Sequence, residues 1–128
     1  MFDTFHEVAQ WREDFYTIAV DWWYEDAPIR DMFDETVTDV EEMERRCDAG
    51  IDTHFITRVR VFYRGHLMAD ENLGSCYASG CYPEEEILEN RLGGYFDDML
   101  EQTREEADRE LVRPNREIAR DAALVDTV

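Results

Sequence analysis

The chain contains no lysine: all thirteen basic residues are arginine, and they stand against 32 acidic residues. The net charge is −19, far beyond the magnitude of about 2–8 that is typical of a small soluble domain. So much negative charge argues against direct binding of nucleic acid, whose phosphates would be repelled, and against anionic membrane surfaces. The expected partner is a basic nucleic-acid-binding protein or complex, or a cation.

Long apolar runs and a basic leader are also missing. No run of apolar residues approaches the length of a membrane span, so no membrane association is expected. The first residues include Asp3 and Glu7 rather than a basic region and an apolar stretch, so no export signal is expected. Cys47, Cys76 and Cys81 form an odd set, which favours a reducing compartment. These features predict a protein of the host-cell cytoplasm.

Familiar catalytic motifs are absent as well. No phosphate-binding loop, nucleophile elbow, HExxH or EF-hand pattern occurs, and carboxylate pairs are so frequent among 32 acids that they indicate nothing. A zinc site could combine Cys76-x4-Cys81 with Cys47, His54 or His66, but structural zinc sites prefer tighter paired spacings. We favour Cys47 in the core and the other two cysteines beside a strand end. The prediction is a protein that is not an enzyme and has no metal or cofactor.

The residues that are present predict a single domain over 1–128, with 44% hydrophobic and 12% aromatic residues to form one core. Thr4 to Glu7 resembles a helix-capping box, and apolar residues follow at helical spacing from Phe5 to Trp23. This pattern predicts a first helix of about six turns. A second capping box, Thr38 to Glu41, predicts a helix that ends near Ala49.

From Thr53 the pattern alternates, which predicts a strand, a turn at Arg64-Gly65 and a returning strand. After Pro83 we expect helices again, broken at Gly93-Gly94 and at Pro114. The long helix should run from 95 to 111 and a last short helix from about 115 to 124. The fold class is therefore α+β, with a small antiparallel hairpin sheet at about 54–77 packed against N-terminal and C-terminal helices.

Charge is distributed unevenly along this order of elements. Residues 31–48 carry a net charge of −6 and residues 84–110 one of −8, whereas the hairpin at 53–69 has three arginines and no acid. Acids three and four residues apart lie about 5–6 Å from each other on a helix, so rows on adjacent helices could imitate the phosphates of a duplex. The predicted partner-binding carboxylates are Asp34, Glu35, Asp39, Glu41, Glu44, Asp48, Glu85, Glu89, Asp97, Glu101, Glu105 and Asp108.

The arginines of the hairpin, Arg58, Arg60 and Arg64, allow two interpretations. They could pair with acids of the neighbouring helices and so attach the sheet to its cover, or they could form a separate anion site. We favour the pairing, because isolated arginines on a strand of an acidic protein have many carboxylates within reach.

In size, charge and acidic segments such as DETVTDVEEMER and DDMLEQTREEAD, the chain resembles small acidic DNA-mimic proteins of phages and mobile elements. That class includes anti-restriction and anti-CRISPR proteins. The stretch RVRVFYRGHLMADENLGSCY, followed later by YFDDM, is also similar to small phage reading frames. The class shares no single fold, so the resemblance implies no particular residues. It implies an inhibitor that binds the basic nucleic-acid-binding surface of a host defence complex, either a CRISPR effector or a restriction enzyme.

Other functions stay open at this stage. The acids could serve solubility in a halophile-adapted adaptor or housekeeping domain, an interpretation that the lysine-free composition also fits. A metal-binding or enzymatic domain ranks last. A homodimer is compatible with each of these, and the basic partner could be bound for regulation rather than inhibition.

Overall fold

The computed structural model describes the backbone of residues 5–126 and the side chains of residues 5–111. Along the chain, two strands are followed by two helices, then by two more strands and by the remaining helical segments. The elements are β1 (His6–Glu13), β2 (Tyr16–Tyr24), α1 (Ile29–Met32), α2 (Val40–Asp48), β3 (Thr53–Tyr63), β4 (His66–Ala78), α3 (Pro83–Leu88), a 3-10 turn (Arg91–Gly94) and α4 (Tyr95–Asp126). The α+β class and the hairpin at its centre are confirmed.

The sheet has four antiparallel strands in the order β1-β2-β3-β4, so each strand pairs with its neighbour in sequence. The helix predicted from Phe5 to Trp23 is wrong, because residues 6–24 form the hairpin β1–β2. Its proposed cap, Thr4, lies outside the described residues. Tyr16, Ile18, Val20 and Trp22 alternate along β2 and are all buried. The same segment therefore carries two patterns, an alternation with a period of two and apolar residues at helical spacing. The structure follows the alternation and forms a strand.

The hairpin β3–β4 follows the sequence prediction closely. Arg64 and Gly65 both have positive φ angles, 50° and 80°, as a two-residue type I′ turn requires. The sequence predicts irregular pairing of the returning strand near residues 70–72 and at Gly74. Residues 70–72 pair regularly, whereas the register shifts at Met68, between the pairs Val61–Ala69 and Phe62–Leu67, and at Gly74. There, Gly74 and Ser75 together face Ile56, because Phe55 pairs with Cys76 and Thr57 pairs with Leu73. This β-bulge lies in an edge strand, where bulges are common.

One face of the sheet carries the hydrophobic core. Residues of β2, β3 and β4 pack there against Ile87 of α3, Leu92 of the 3-10 turn and the inner side of α4. The apolar spacing of α4 predicts six inward residues, Phe96, Met99, Leu100, Thr103, Ala107 and Leu111. The prediction is confirmed, since Phe96, Met99, Thr103 and Ala107 are at most 7% exposed, and Leu100 and Leu111 are partly buried against the core. Their spacing of three and four residues gives the helix a single buried stripe. We call α3, the 3-10 turn and α4 the helical layer.

Helices α1 and α2 lie on the opposite side, at one end of the sheet. Phe33 contacts the rings of His54 and Tyr77, which are paired residues of β3 and β4. The neighbouring pair, Phe55 and Cys76, belongs to the core on the other face. Since successive strand residues point to opposite faces, α1 and α2 are separated from the helical layer by the sheet.

Two helix ends differ from the predictions. The capping residue of α2 is Asp39, whose carboxylate accepts a hydrogen bond from the Glu42 backbone N–H at 3.1 Å, rather than Thr38. The cap is thus one residue later than predicted, although the helix itself is confirmed. Pro114 does not interrupt α4, whose backbone continues to Asp126. In the described part of the chain, no helix is both long and apolar enough to cross a bilayer.

Candidate functional site

The helical layer exposes a dense group of carboxylates on the side away from the sheet. Its buried stripe fixes the orientation of α4, so the acids on the remaining sides of that helix point outward. We define the acidic helical surface as Glu85, Glu89, Asp97, Asp98, Glu101, Glu105 and Asp108, each of which is exposed. All except Asp98 were predicted as partner-binding residues. Asp98 belongs with them because it lies three residues before Glu101 on the same helix.

Half of the twelve predicted partner-binding acids already have partners inside the protein. Asp34 accepts hydrogen bonds from Thr36, Asp39 caps α2, and Glu35 and Glu44 both bind Arg30. On the acidic helical surface, Asp97 pairs with Arg91 at 2.7 Å, and Asp108 accepts a hydrogen bond from Tyr16. These six residues have local structural roles, which sequence spacing did not reveal.

The other six predicted acids make no hydrogen bond or ion pair with the described side chains. Four of them lie on the acidic helical surface, Glu85, Glu89, Glu101 and Glu105, while Glu41 and Asp48 lie on α2. The sequence argument placed the rows on adjacent helices. The sheet instead separates the α2 row from the α4 row, so the two rows cannot form one continuous surface. The acids of α3 and α4 lie together on the side of the sheet that carries the helical layer.

Tyrosines accompany the acidic helical surface, whereas tryptophans do not. Tyr95, at the first position of α4, is 64% exposed, and Tyr82, just before α3, is 74% exposed. Trp22 is buried, and its indole N–H donates to Glu84 at 2.8 Å. Tyrosines beside carboxylates offer large contact areas at low entropic cost, which is typical of residues that dominate binding interfaces.

On the opposite face of the sheet, a buried carboxylate is paired with two arginines. Asp21 on β2 is 5% exposed, and its carboxylate receives two hydrogen bonds from Arg58, at 2.9 and 2.7 Å, and one from Arg60 at 3.1 Å. Arg58 also lies 4.0 Å above the Phe5 ring. Arg58 and Arg60 pair with a carboxylate as expected, but the partner is an acid of the adjacent strand and not of a helix. The register of β2 and β3, with Asp21 opposite Arg58, creates this contact. Arg64 instead lies over the Tyr63 ring, at 5.2 Å, and forms no ion pair with the described side chains.

A second internal carboxylate, Asp52, joins α2 to the end of the sheet. Arg46 binds it at 2.8 and 3.0 Å, the Gly80 backbone N–H donates at 2.8 Å, and the Tyr77 hydroxyl also donates to it. The bond from Arg46, which outweighs burial, lowers the pKa of Asp52 to about 2. Burial, followed by the bond to Asp52, raises the pKa of Tyr77 well above its usual range. The sequence contained no visible signal for this cluster, since its outermost members, Arg46 and Gly80, are 34 residues apart.

A third junction links the β1–β2 turn to α4. The Tyr16 hydroxyl, on a fully buried residue, donates to Asp108 at 2.7 Å. Burial first, then this hydrogen bond, raises the pKa of Tyr16 to about 12. Arg104 pairs with Glu13 at 2.6 Å and with Asp14 at 2.5 Å. These contacts attach α4 to the sheet at the end opposite the 3-10 turn.

The cysteines and histidines do not converge on one point. Cys47, Cys76 and Cys81 are free thiols, and burial raises the pKa of each. Within the residues that the structure describes, no three His, Cys, Asp or Glu side chains are arranged to hold a metal ion. His54 is buried beside Phe33, and burial lowers its pKa.

Comparison with protein-family models, with curated proteins and with solved structures finds no match to this chain. Function is therefore argued from the charges and geometry of the helical layer.

Proposed function

We propose that the protein binds the basic, nucleic-acid-binding surface of another protein through its acidic helical surface and thereby competes with nucleic acid. The observation that carries this proposal is the group of exposed carboxylates on α3 and α4 with no cationic partner among the described side chains: Glu85, Glu89, Glu101 and Glu105. Like charges three or four residues apart cost a helix about 0.2–0.5 kcal/mol per pair. A partner rich in arginine and lysine would convert that repulsion into attraction.

The dimensions of the surface fit a short piece of duplex. From Asp97 to Asp108, α4 advances about 16 Å, at about 1.5 Å per residue. A duplex carries roughly ten phosphates over that length, at one charge per about 1.7 Å. Five acids of the acidic helical surface lie along that length, about half the density of the phosphates, and Glu85 and Glu89 of α3 add two more carboxylates outside it. They would cover a single DNA-binding groove of the target rather than an extended track.

Electrostatic attraction would act mainly on the rate of encounter. Complementary charge can steer association to rates well above those of neutral partners, and the effect falls as salt is added. Tyr95 and Tyr82 would then supply the contacts that hold the complex after the charges meet. In this proposal the protein is a stoichiometric inhibitor, requires no cofactor and catalyses no reaction. Its target class is a host defence complex, either a CRISPR effector or a restriction enzyme.

One observation favours a second candidate function. The acids without internal partners are not confined to the helical layer, because Glu41 and Asp48 on α2 lie across the sheet. Carboxylates on every side are what a halophile-adapted domain would use for solubility. This alternative predicts that the folded state requires high salt, since salt screens repulsion among exposed charges.

The experiment that separates the two compares matched charge variants. The first replaces Glu85, Glu89, Glu101 and Glu105 by glutamine. The second makes the same change of charge on exposed acids elsewhere, with Asp31→Asn, Glu41→Gln, Asp48→Asn and Asp70→Asn. Each immobilised protein is exposed to a lysate of the host, washed with increasing salt and challenged with duplex DNA, and the retained proteins are purified for affinity measurements.

We expect the wild type and the second variant to retain the same nucleic-acid-binding complex, released by DNA or by salt. The first variant should bind the purified complex at least about tenfold more weakly, a difference of about 1.4 kcal/mol. Equal loss in both variants would contradict a localised surface. Retention that DNA cannot compete would contradict mimicry. Failure of all three proteins to retain a complex, with folding only in molar salt, would favour the halophile alternative.

A further inference from the structure

A cavity of about 490 Å³ lies where the helical layer meets the edge strand β4. It opens beside Tyr95, at the border of the acidic helical surface. Most of its wall is apolar or backbone, and the side chains that matter for its chemistry are Leu73, Ser75, Cys76, Glu86, Leu92 and Tyr95. A cavity of this size and lining, with a few polar groups, is typical of a binding site rather than of a packing defect.

Both walls of the cavity consist of backbone in an unusual conformation. Ser75, in the bulge of β4, has a φ angle of 56°. Across the cavity, Leu92 and Gly93 in the 3-10 turn have φ angles of 51° and 66°. Such left-handed conformations cost a residue with a side chain on the order of 1 kcal/mol or more, and persist only where the surroundings enforce them. The packing of Leu92 into the core holds one wall, and the pairing of Cys76 with Phe55 holds the other.

Two polar groups of the cavity lining have atoms available for further hydrogen bonds. Glu86 accepts a hydrogen bond from the Asn90 side chain on its Oε1 atom at 3.0 Å and forms no ion pair with the described side chains. The hydroxyl oxygen of Ser75 is buried and has no hydrogen-bond partner among the described residues. Buried polar atoms are normally satisfied, so the Ser75 hydroxyl indicates a missing partner. The half-buried Glu86 carboxylate lines the same cavity and supplies a negative charge there.

The ligand that fits these features is a long side chain with an apolar stem and a cationic end. Lysine and arginine lay their methylene groups along apolar surfaces and keep the charged head at a polar site. Leu73, Leu92 and the Tyr95 ring would contact the stem, and Glu86 would bind the head. We propose that this cavity receives an arginine or lysine side chain from the basic partner and anchors the complex. The inference rests on the proposed function for the source of that side chain.

The experiment uses a small probe in place of the partner. N-acetyl-arginine methylamide is titrated into the isotopically labelled full-length protein, and backbone amide shifts are followed by NMR. The citrulline analogue has the same length and shape but no charge. The test variant is Glu86→Gln, which retains an oxygen for the bond from Asn90. The control is Glu41→Gln, which changes the net charge equally but lies on α2 across the sheet.

We expect saturable shifts of the amides at 73–77 and 92–95 with the arginine probe. Affinity should fall at least about tenfold for the citrulline probe and for Glu86→Gln, because a charge-assisted hydrogen bond is lost. Glu41→Gln should bind as the wild type does. A second variant, Tyr95→Ala, should also bind more weakly, since it removes the ring beside the stem. The dispersed spectra of each variant report directly that it is folded.

Three results would overturn the inference: equal affinity for both probes, no effect of Glu86→Gln, or equal losses in Glu86→Gln and Glu41→Gln. The last would mean that only the overall charge matters. The proposed function is tested independently of the cavity. If the probe fails but the four-glutamine variant still loses its partner, the acidic helical surface stands without the cavity. If the probe binds and no basic complex is retained, the cavity stands and the proposed function fails.

Discussion

The two sides of the sheet carry charge in opposite ways. On one side, Asp21 is nearly inaccessible and satisfied by Arg58 and Arg60, so its charge is used to hold two strands together. On the other side, the acidic helical surface exposes carboxylates, of which Glu101 and Glu105 have no such partner among the described side chains. An internal ion pair makes its acid important for folding. An unpartnered exposed acid contributes nothing favourable to folding, which leaves it available for an interaction with another molecule.

The strongest test of this contrast is removal of Asp21. We expect Asp21→Ala to lower the free energy of unfolding by about 3 kcal/mol, the lower end of the range for breaking a buried ion pair. The lower end applies because the side chains of Arg58 and Arg60 are 18% and 30% exposed and can regain water. Urea unfolding measures the change. Glu105→Ala serves as the control and should stay within about 0.5 kcal/mol of the wild type. Equal losses in both variants would remove the distinction between the two sides.

The next test concerns acid pH and Asp52. Its pKa is lowered to about 2 from an ordinary 3.8, so the folded state favours the ionised form. The stabilisation is therefore present above about pH 4 and is lost as the pH falls towards 2. Since Arg46 is 33% exposed, we expect a contribution of about 1–2 kcal/mol rather than the full equivalent of the shift.

The measurement is the difference in unfolding free energy between the wild type and Asp52→Asn across this pH range. Protonation of the many exposed acids affects both proteins alike and cancels in the difference. The gap should be largest near neutral pH and should narrow on acidification. A gap that is constant with pH would mean that the charge of Asp52 does not stabilise the fold.

A smaller effect is expected at Tyr16, whose buried side chain donates a hydrogen bond to Asp108 of the acidic helical surface. Tyr16→Phe should cost about 1 kcal/mol, the usual net value of a hydrogen bond, because exposed Asp108 can be hydrated instead. The raised pKa of Tyr16, about 12 against 10, adds a prediction for alkaline pH. The wild type should lose this contribution as the pH rises from 10 to 12, whereas Tyr16→Phe should not. Thermal unfolding at pH 8 and pH 11 checks both statements.

The smallest effect has the opposite sign. Glu101 lies three or four residues from Asp98 and Glu105, and from Asp97, whose charge is already paired with Arg91. Two repulsions of about 0.2–0.5 kcal/mol each are removed, so Glu101→Gln should stabilise the protein by about 0.4–1 kcal/mol at low salt. The gain should disappear at high salt, where the repulsion is screened. Glu42→Gln is the matched control, because Glu42 is paired with Arg45 and should show no gain. Destabilisation by Glu101→Gln would show that this acid has a structural role.

The hairpin β3–β4 and the inner stripe of α4 could be predicted from the sequence, because each combines an unambiguous period with local punctuation. Val59 and Val61 alternate with arginines, and Arg64-Gly65 is a turn by its own conformational preferences. The prediction for the N-terminal segment was wrong because its apolar residues fit both the helical and the strand period. Pairing of β2 with β3 decided between them, and pairing is not a property of the segment itself.

The candidate site was predictable only in part, for a related reason. Spacing along a helix identified the acids of α4 correctly as one row. Spacing did not reveal that Asp97 is paired with Arg91. It also did not reveal that Asp108 accepts a hydrogen bond from Tyr16, because Tyr16 is distant in the chain. It also could not tell that the sheet separates the α2 row from the α4 row. The cavity beside Glu86 had no signal, since its walls come from a bulge and a turn on different elements.

Composition and local periodicity alone determined the negative charge, the α+β class, the central hairpin and the buried face of α4. These depend on residue types and on contacts within a few positions of each other. Only the tertiary structure decided which carboxylates are internal partners of arginine and which have no partner among the described side chains. It also decided on which side of the sheet each of them lies. Charges interact over a few ångströms in space, and the sheet places residues dozens of positions apart within that distance or on opposite sides of the molecule.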